Sequence, residues 1–167
     1  MKRLLAAIGL PLVLCATALG GGGTTVNLPA ALKSPLAKVK KTTRVPILLP
    51  PSLALLGTYK VYGSGFGTRN QFNLELSGAP DCHGANACFV AMFAGQRGGR
   101  LPFRQNTTLA TGDPAAFKPI TCGGSCSPNS FWFIHNGYLY SWQAKDIGAP
   151  KATLTRMANR ALAAGPR

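Results

Sequence analysis

Acidic residues are nearly absent from this 167-residue sequence: Glu75, Asp81, Asp113 and Asp146 stand against eighteen lysines and arginines, a formal net charge of +14. So few carboxylates argue against chemistry that needs them in pairs, such as the acid and base of glycoside hydrolysis. Histidine is as scarce, with only His83 and His135 to serve as general bases near neutral pH. A metal site would have to draw on the same few residues. No G-x-S-x-G elbow occurs. Gly63-Ser64-Gly65-Phe66-Gly67 lacks the Lys-Ser/Thr that completes a phosphate-cradling loop. No catalytic residues and no cofactor are therefore expected. Apolar runs of membrane-spanning length are missing as well, because Leu4 to Gly20 falls short of ~20 residues and is broken by Pro11 and Gly9.

What is present begins with an export pattern. Met1-Lys2-Arg3 is a short positive start, Leu4 to Leu14 an uncharged apolar core, and Ala16-Thr17-Ala18 a small-residue cleavage site. Residues 1–18 are read as a signal peptide cleaved near Ala18, which places the protein in a secreted or periplasmic compartment. Cleavage removes Cys15, and Leu14 before it does not suit a lipoprotein signal. Cys82, Cys88, Cys122 and Cys126 then remain, an even count that reads as a disulfide framework in an exported chain. Of the three pairings open to them, the local one, Cys82–Cys88 with Cys122–Cys126, is expected, because each intervening loop is short and contains glycine. A four-thiolate zinc site is the alternative, with spacings unlike the usual C-x2-C ribbon.

Residues 19–44 read as a basic, Gly/Lys-rich linker. Gly20 to Gly23 is a glycine run, and Lys33, Lys38, Lys40, Lys41 and Arg44 follow without an acid or an aromatic. A single domain is expected from residue 45 to 167. Val45 to Pro51 is apolar and proline-punctuated, which suits an edge segment or an extended lead-in packed on the core. Tyr59 to Tyr62 starts a strand that the glycines at 63–67 should break. Phe72, Leu74 and Leu76 alternate with polar neighbours, the period of a half-buried strand. Phe89 to Phe93 is another strand, with shorter ones within 101–111 and 117–121. Asn136-Gly137 joins Ser130–His135 to Tyr138–Gln143 as a two-residue hairpin. That pairing puts Tyr138, Tyr140 and Trp142 on one face with Phe131, Phe133 and His135. Trp132, Ile134 and Leu139 fall on the other, so the hairpin is expected to be central and covered on both sides. Leu154, Met157, Ala158, Ala161 and Leu162 form one apolar helical stripe between Pro150 and Gly165-Pro166. The fold class is α+β: a mainly antiparallel β-sheet with a C-terminal α-helix packed on it, in a small disulfide-stapled domain.

Trp132-x3-Asn136-Gly137-x2-Tyr140, followed by Leu154-x2-Met157-Ala158-Asn159, resembles the end of an exported bacterial domain family of unknown function. That family occurs in lipoproteins and behind anti-sigma factors, and it is similar to the periplasmic lipoprotein carriers. The resemblance covers about 40 residues. It implies an exported α+β fold whose curved sheet holds an acyl chain against helices. The cysteine loops are not part of the family pattern.

The remaining positive feature is charge. Arg97, Arg100 and Arg104 lie within eight residues, among glycines and beside Phe103, as a flexible anion-binding segment. Sixteen basic residues against four acids, after the signal, favour anionic partners. The expectation is an exported, non-enzymatic binding module for anionic envelope or extracellular components. Its partner would be an anionic polymer or membrane surface, and specific nucleic-acid recognition is not expected. A lipid or small-ligand carrier is the alternative, resting on the resemblance. A hydrolase using Asp81 and His83 on a hydroxyl such as Ser125 ranks third. Asn106-Thr107-Thr108 is a glycosylation sequon with meaning only in a eukaryotic source.

Overall fold

The structure, a computed structural model, describes residues 23–82 and 86–167. The expected export signal at residues 1–18 and His83 lie outside the described residues. The chain opens with β1 (Thr24–Asn27), α1 (Leu28–Ala31), α2 (Lys33–Thr42) and β2 (Ser52–Leu55), where β1 and β2 pair antiparallel. Then come β3 (Tyr62–Thr68), β4 (Gln71–Ser77), β5 (Phe89–Arg97), β6 (Thr107–Thr108) and β7 (Pro114–Lys118). A small ladder of β8 (Thr121–Cys122) and β9 (Cys126–Ser127) precedes β10 (Asn129–His135), β11 (Tyr138–Ala144) and α3 (Pro150–Ala164). Seven strands make one antiparallel sheet in the order β3-β4-β5-β11-β10-β7-β6. The fold is the expected α+β one.

The hairpin forms as its sequence requires. Asn136 and Gly137 take φ of 49° and 77°, and His135 pairs with Tyr138. Phe131, Phe133, Tyr140 and Trp142 share one face and are fully buried. Phe133 stacks on Tyr140 at 4.9 Å between centroids and meets Trp142 edge-on at 5.2 Å. Leu154, Met157, Ala158 and Ala161 of α3 are buried in the same apolar cluster. Residues 45–50 pack against this face as irregular chain, with Val45, Ile47, Leu48 and Leu49 buried, and the Tyr140 hydroxyl donates to the Pro46 carbonyl at 3.0 Å. The expected lead-in is thus the strap between the helices.

Three expectations need correction. First, residues 24–42 are no linker. Leu28, Leu32, Leu36 and Val39 fall on one side of α1 and α2 and are at most 9% exposed, while Lys33, Lys38, Lys40, Lys41 and Arg44 face solvent. The lysines mask an amphipathic stripe that is only four residues wide. Second, Gly63 to Gly67 do not break a strand; they are β3 itself. A Cβ on Gly63 would stand 2.6 Å from the Ala31 carbonyl oxygen, and one on Gly65 3.3 Å from Pro35 Cβ. Alternate glycines let α1 and α2 lie directly on the strand backbone. Third, the hairpin is central but covered on one side only. The three helices and the strap pack on the Phe133 face, and Trp132, Ile134 and Leu139 on the other remain half-buried. The segment 101–111 also holds less strand than expected, with pairing only at Thr107–Thr108.

The cysteines pair locally, Cys82 with Cys88 and Cys122 with Cys126. Both bridges stand at the end of the sheet where β4 and β7 finish and β5 and β10 begin. Closing loops of this size stabilises by about 2 kcal/mol each. Replacing either pair by serine is therefore expected to cost about that much in a denaturant titration. A melting temperature unchanged by reductant would contradict the staple. Two structural disulfides fit an oxidising, extracytoplasmic compartment. Among the described residues, no helix is long and apolar enough to cross a membrane.

Candidate functional site

The four acids are engaged elsewhere or stand alone, which leaves the basic residues uncompensated. Asp113 Oδ2 takes His135 Nδ1 at 2.6 Å and the Thr111 hydroxyl at 2.6 Å. Asp146 accepts from the Tyr59 hydroxyl at 2.5 Å, and that carboxylate holds the Tyr59 phenol above its ordinary pKa. Asp81 is exposed, and Glu75 is half-buried on β4. The His135–Asp113 contact is the one close pairing of an acid with a basic side chain among the described residues, and it uses no lysine or arginine. No lysine or arginine of the described chain therefore has an acid beside it.

Arg97, Arg100 and Arg104 are all exposed. Arg97 ends β5, its amide bonded to the Asn70 carbonyl at 2.8 Å. Gly98 and Gly99, at φ 70° and 108°, turn the chain back. The following loop runs over the half-covered face of the sheet. Gly99 sits against Gln96 and Leu139, and Phe103 packs on Trp132 at 5.1 Å between ring centroids. Lys118 Nζ lies 5.2 Å over the Phe103 ring, a cation–π contact. Arg97 pairs with Tyr138 and has the parity of the helix-covered face, whereas Arg100 and Arg104 flank an aromatic surface. Beside them, Phe66, Asn73, Ala94, Gln96, Trp132 and Ser141 line a cleft of about 280 Å³ on the same face.

That cleft was not anticipated from the sequence. Two signals were there to find it: Phe66 alternates with the β3 glycines, so it must point away from α2, and Trp132 has the opposite parity to Phe131 and Phe133. Phe66 is 59% exposed. Large apolar side chains left open on a sheet face mark binding surfaces.

Glu75 is the titratable group of this face. Burial raises its carboxyl above the ordinary pKa, and no cation sits beside it to offset this. A raised folded-state pKa gives stability that is present at low pH and lost as pH rises through it. Glu75→Gln is accordingly expected to melt slightly higher than wild type at pH 7. The gap should close as pH falls below about 4, near the pKa of an unperturbed glutamate. Thermal melts at several pH values read this directly, and a variant less stable at pH 7 would contradict it.

His135 is structural in its contacts. With the Asn136 side-chain amide donating to Nε2 at 3.0 Å, Nδ1 carries the proton and donates to Asp113. The pair ties the hairpin turn to the loop before β7. Its two ring nitrogens are both engaged, and neither touches a hydroxyl or thiol nucleophile. Asp81 and Ser125 lie in loops at the same end of the sheet, and the third member of that arrangement, His83, is outside the described residues. Among the described residues no group of three histidine, cysteine, aspartate or glutamate side chains could hold a metal ion.

The space between sheet and α3 is filled by Phe131, Phe133 and Trp142, each fully buried. A broad groove of about 930 Å³ lies instead on the outer flank of α3, lined by Ala110, Ala152, Ala163 and the cations Lys151, Arg156 and Arg160. No protein-family model, curated protein or solved structure matches this chain.

Proposed function

We propose that the protein is an exported, non-enzymatic binding module for anionic envelope or extracellular components. The observation that carries this is the uncompensated charge: no lysine or arginine of the described chain pairs with an acid. Arg100 and Arg104 border a partly apolar sheet face and Arg97 stands at the end of β5, where guanidinium groups can fork onto carboxylates or phosphates. The export pattern at residues 1–18 and the two disulfides support an extracytoplasmic site of action.

Retention on an anionic resin tests the reading. Neutralising the three arginines together to glutamine is expected to lower the salt needed for elution, and to flatten the dependence of affinity on salt, since fewer counterions are displaced. Elution unchanged by the triple substitution would overturn the assignment of these arginines.

A second reading, a carrier of a small amphiphilic ligand, is favoured by the groove on α3. Methyl groups of Ala152 and Ala163 would face the apolar part, with Arg156 and Arg160 near an anionic head. Native mass spectrometry of the protein from its own host would show a co-purifying ligand under this reading and bare protein otherwise.

A further inference from the structure

The half-covered sheet face is graded along its strands. Nearest the disulfides lies a row with Ser64, Glu75 and Met92 on adjacent strands. The next row runs Phe66, Asn73, Ala94, Ser141 and Trp132 across five strands. Gln71, Gln96 and Leu139 follow, and beyond them come exposed Arg69 in the turn between β3 and β4 and exposed Arg100 in the loop after Gly99. Glu75 and Gln71 are four residues apart on one strand, so the acid stands about 13 Å from the row next to the arginines. Phe66 and Trp132 are separated by four strand spacings, about 19 Å. Between these two walls, Ala94 and Ser141 are small enough to leave the cleft its depth.

One polar group of the floor is poorly served. The Asn73 side-chain amide donates only to Met92 Sδ, at 3.3 Å. A thioether is a weak acceptor, so the amide is available to a better partner. Gln71 and Gln96, one row on, add two more carboxamides, and Ser141 adds a hydroxyl to the same cleft.

We infer that this cleft binds a strand of acidic polysaccharide, with sugar rings against Phe66 and Trp132 and carboxylates at the arginine end. The inference deepens the anionic-partner reading above and rests on it. Aromatic walls accept the apolar face of a pyranose ring, and carboxamides and hydroxyls match its hydroxyl groups. Charge complementarity sets the direction. Arg69 and Arg100 attract carboxylates at one end, and Glu75 repels them from the other while it can accept hydroxyl protons. A single-stranded nucleic acid fits less well. Stacked bases need aromatic platforms in close succession and cations that follow the backbone. Here the two walls are far apart and the arginines gather at one end and along one flank.

Affinity electrophoresis of the folded protein through gels containing polygalacturonate or dextran tests this, with an oligo-dT strand as competitor. Polygalacturonate is expected to retard the wild type and dextran to leave it unretarded. Phe66→Ala and Trp132→Ala should each weaken retardation about tenfold, the size of a truncated interface anchor. Their elution from cation exchanger should stay unchanged. Phe66 is exposed on an edge strand, so its truncation leaves the core intact even if Trp132→Ala perturbs it. Equal retardation of Phe66→Ala and wild type, equal retardation by dextran, or displacement by oligo-dT would each overturn the inference. Loss on arginine neutralisation with Phe66→Ala unaffected would sink the cleft and leave general anion binding standing. No retardation by any polyanion would sink both.

Discussion

A chain lacking residues 24–42 is expected to lose cooperative unfolding altogether. The deletion removes Val26, Leu28, Leu32, Leu36 and Val39, each at most 9% exposed. At about 2 kcal/mol for each buried side chain, the loss is about 10 kcal/mol. That is the size of the whole stability of a domain. It also uncovers β3, where Gly63, Gly65 and Gly67 have no side chains with which to cover Leu74 from solvent. Circular dichroism during a thermal or urea titration reads the effect. A deletion variant that melts in one sharp transition near the wild-type temperature would show that the segment is a tether after all.

The second large effect is expected at Phe133. Its ring stacks on Tyr140, meets Trp142 edge-on and lies 6.0 Å from the Phe131 centroid. It therefore stands at the centre of the aromatic layer under the helices. Phe133→Ala should cost about 3–5 kcal/mol, because neighbouring rings held in a central strand cannot collapse into the space left. A urea titration with unchanged slope and lowered midpoint is the expected outcome. Trp132→Ala, one residue away with the opposite parity, should cost clearly less, since its ring is only half-buried. Equal losses at the two positions would mean that the sheet has no open face.

The contrast between those neighbours shows what the sequence made legible. Period-2 alternation placed Phe131, Phe133, Tyr140 and Trp142 on one side of the hairpin. Asn136-Gly137 fixed which residues pair across it. The C-terminal stripe of Leu154, Met157, Ala158 and Ala161 was equally plain, because its polar faces are separate from its apolar one. Local chemistry decided each of these. The two cysteine bridges were readable for the same reason, since each closes a short loop.

What the sequence hid depends on contacts between distant segments. Lys33 to Arg44 carries five cations and few large apolar residues, so composition pointed to a solvated linker. Its narrow stripe acquires meaning only when β3 offers a surface without Cβ atoms. The glycines of β3 were obscure for the matching reason, being turn residues by composition and a docking surface by position. Apolar side chains on both faces of the hairpin suggested two covering layers. Nothing local told that α2, α3 and the strap at 45–50 all choose the same side. His135 was legible as the end of an aromatic row, but Asp113, twenty-two residues earlier, was not. The arginines were visible as a cluster, and the aromatic cleft they border required the strand order.

The central claim is that anionic partners meet the protein on the open sheet face. The most direct measurement is a nitrogen–proton correlation spectrum of the labelled protein, titrated with a short oligogalacturonate. The account predicts that the Trp132 indole resonance and the side-chain amides of Asn73 and Gln96 move progressively with ligand. Backbone amides from Arg97 to Arg104 should move with them, and the fully buried Trp142 indole should stay in place. Shifts confined to the lysine face of α2 or to the flank of α3, or no shifts at all, would contradict it.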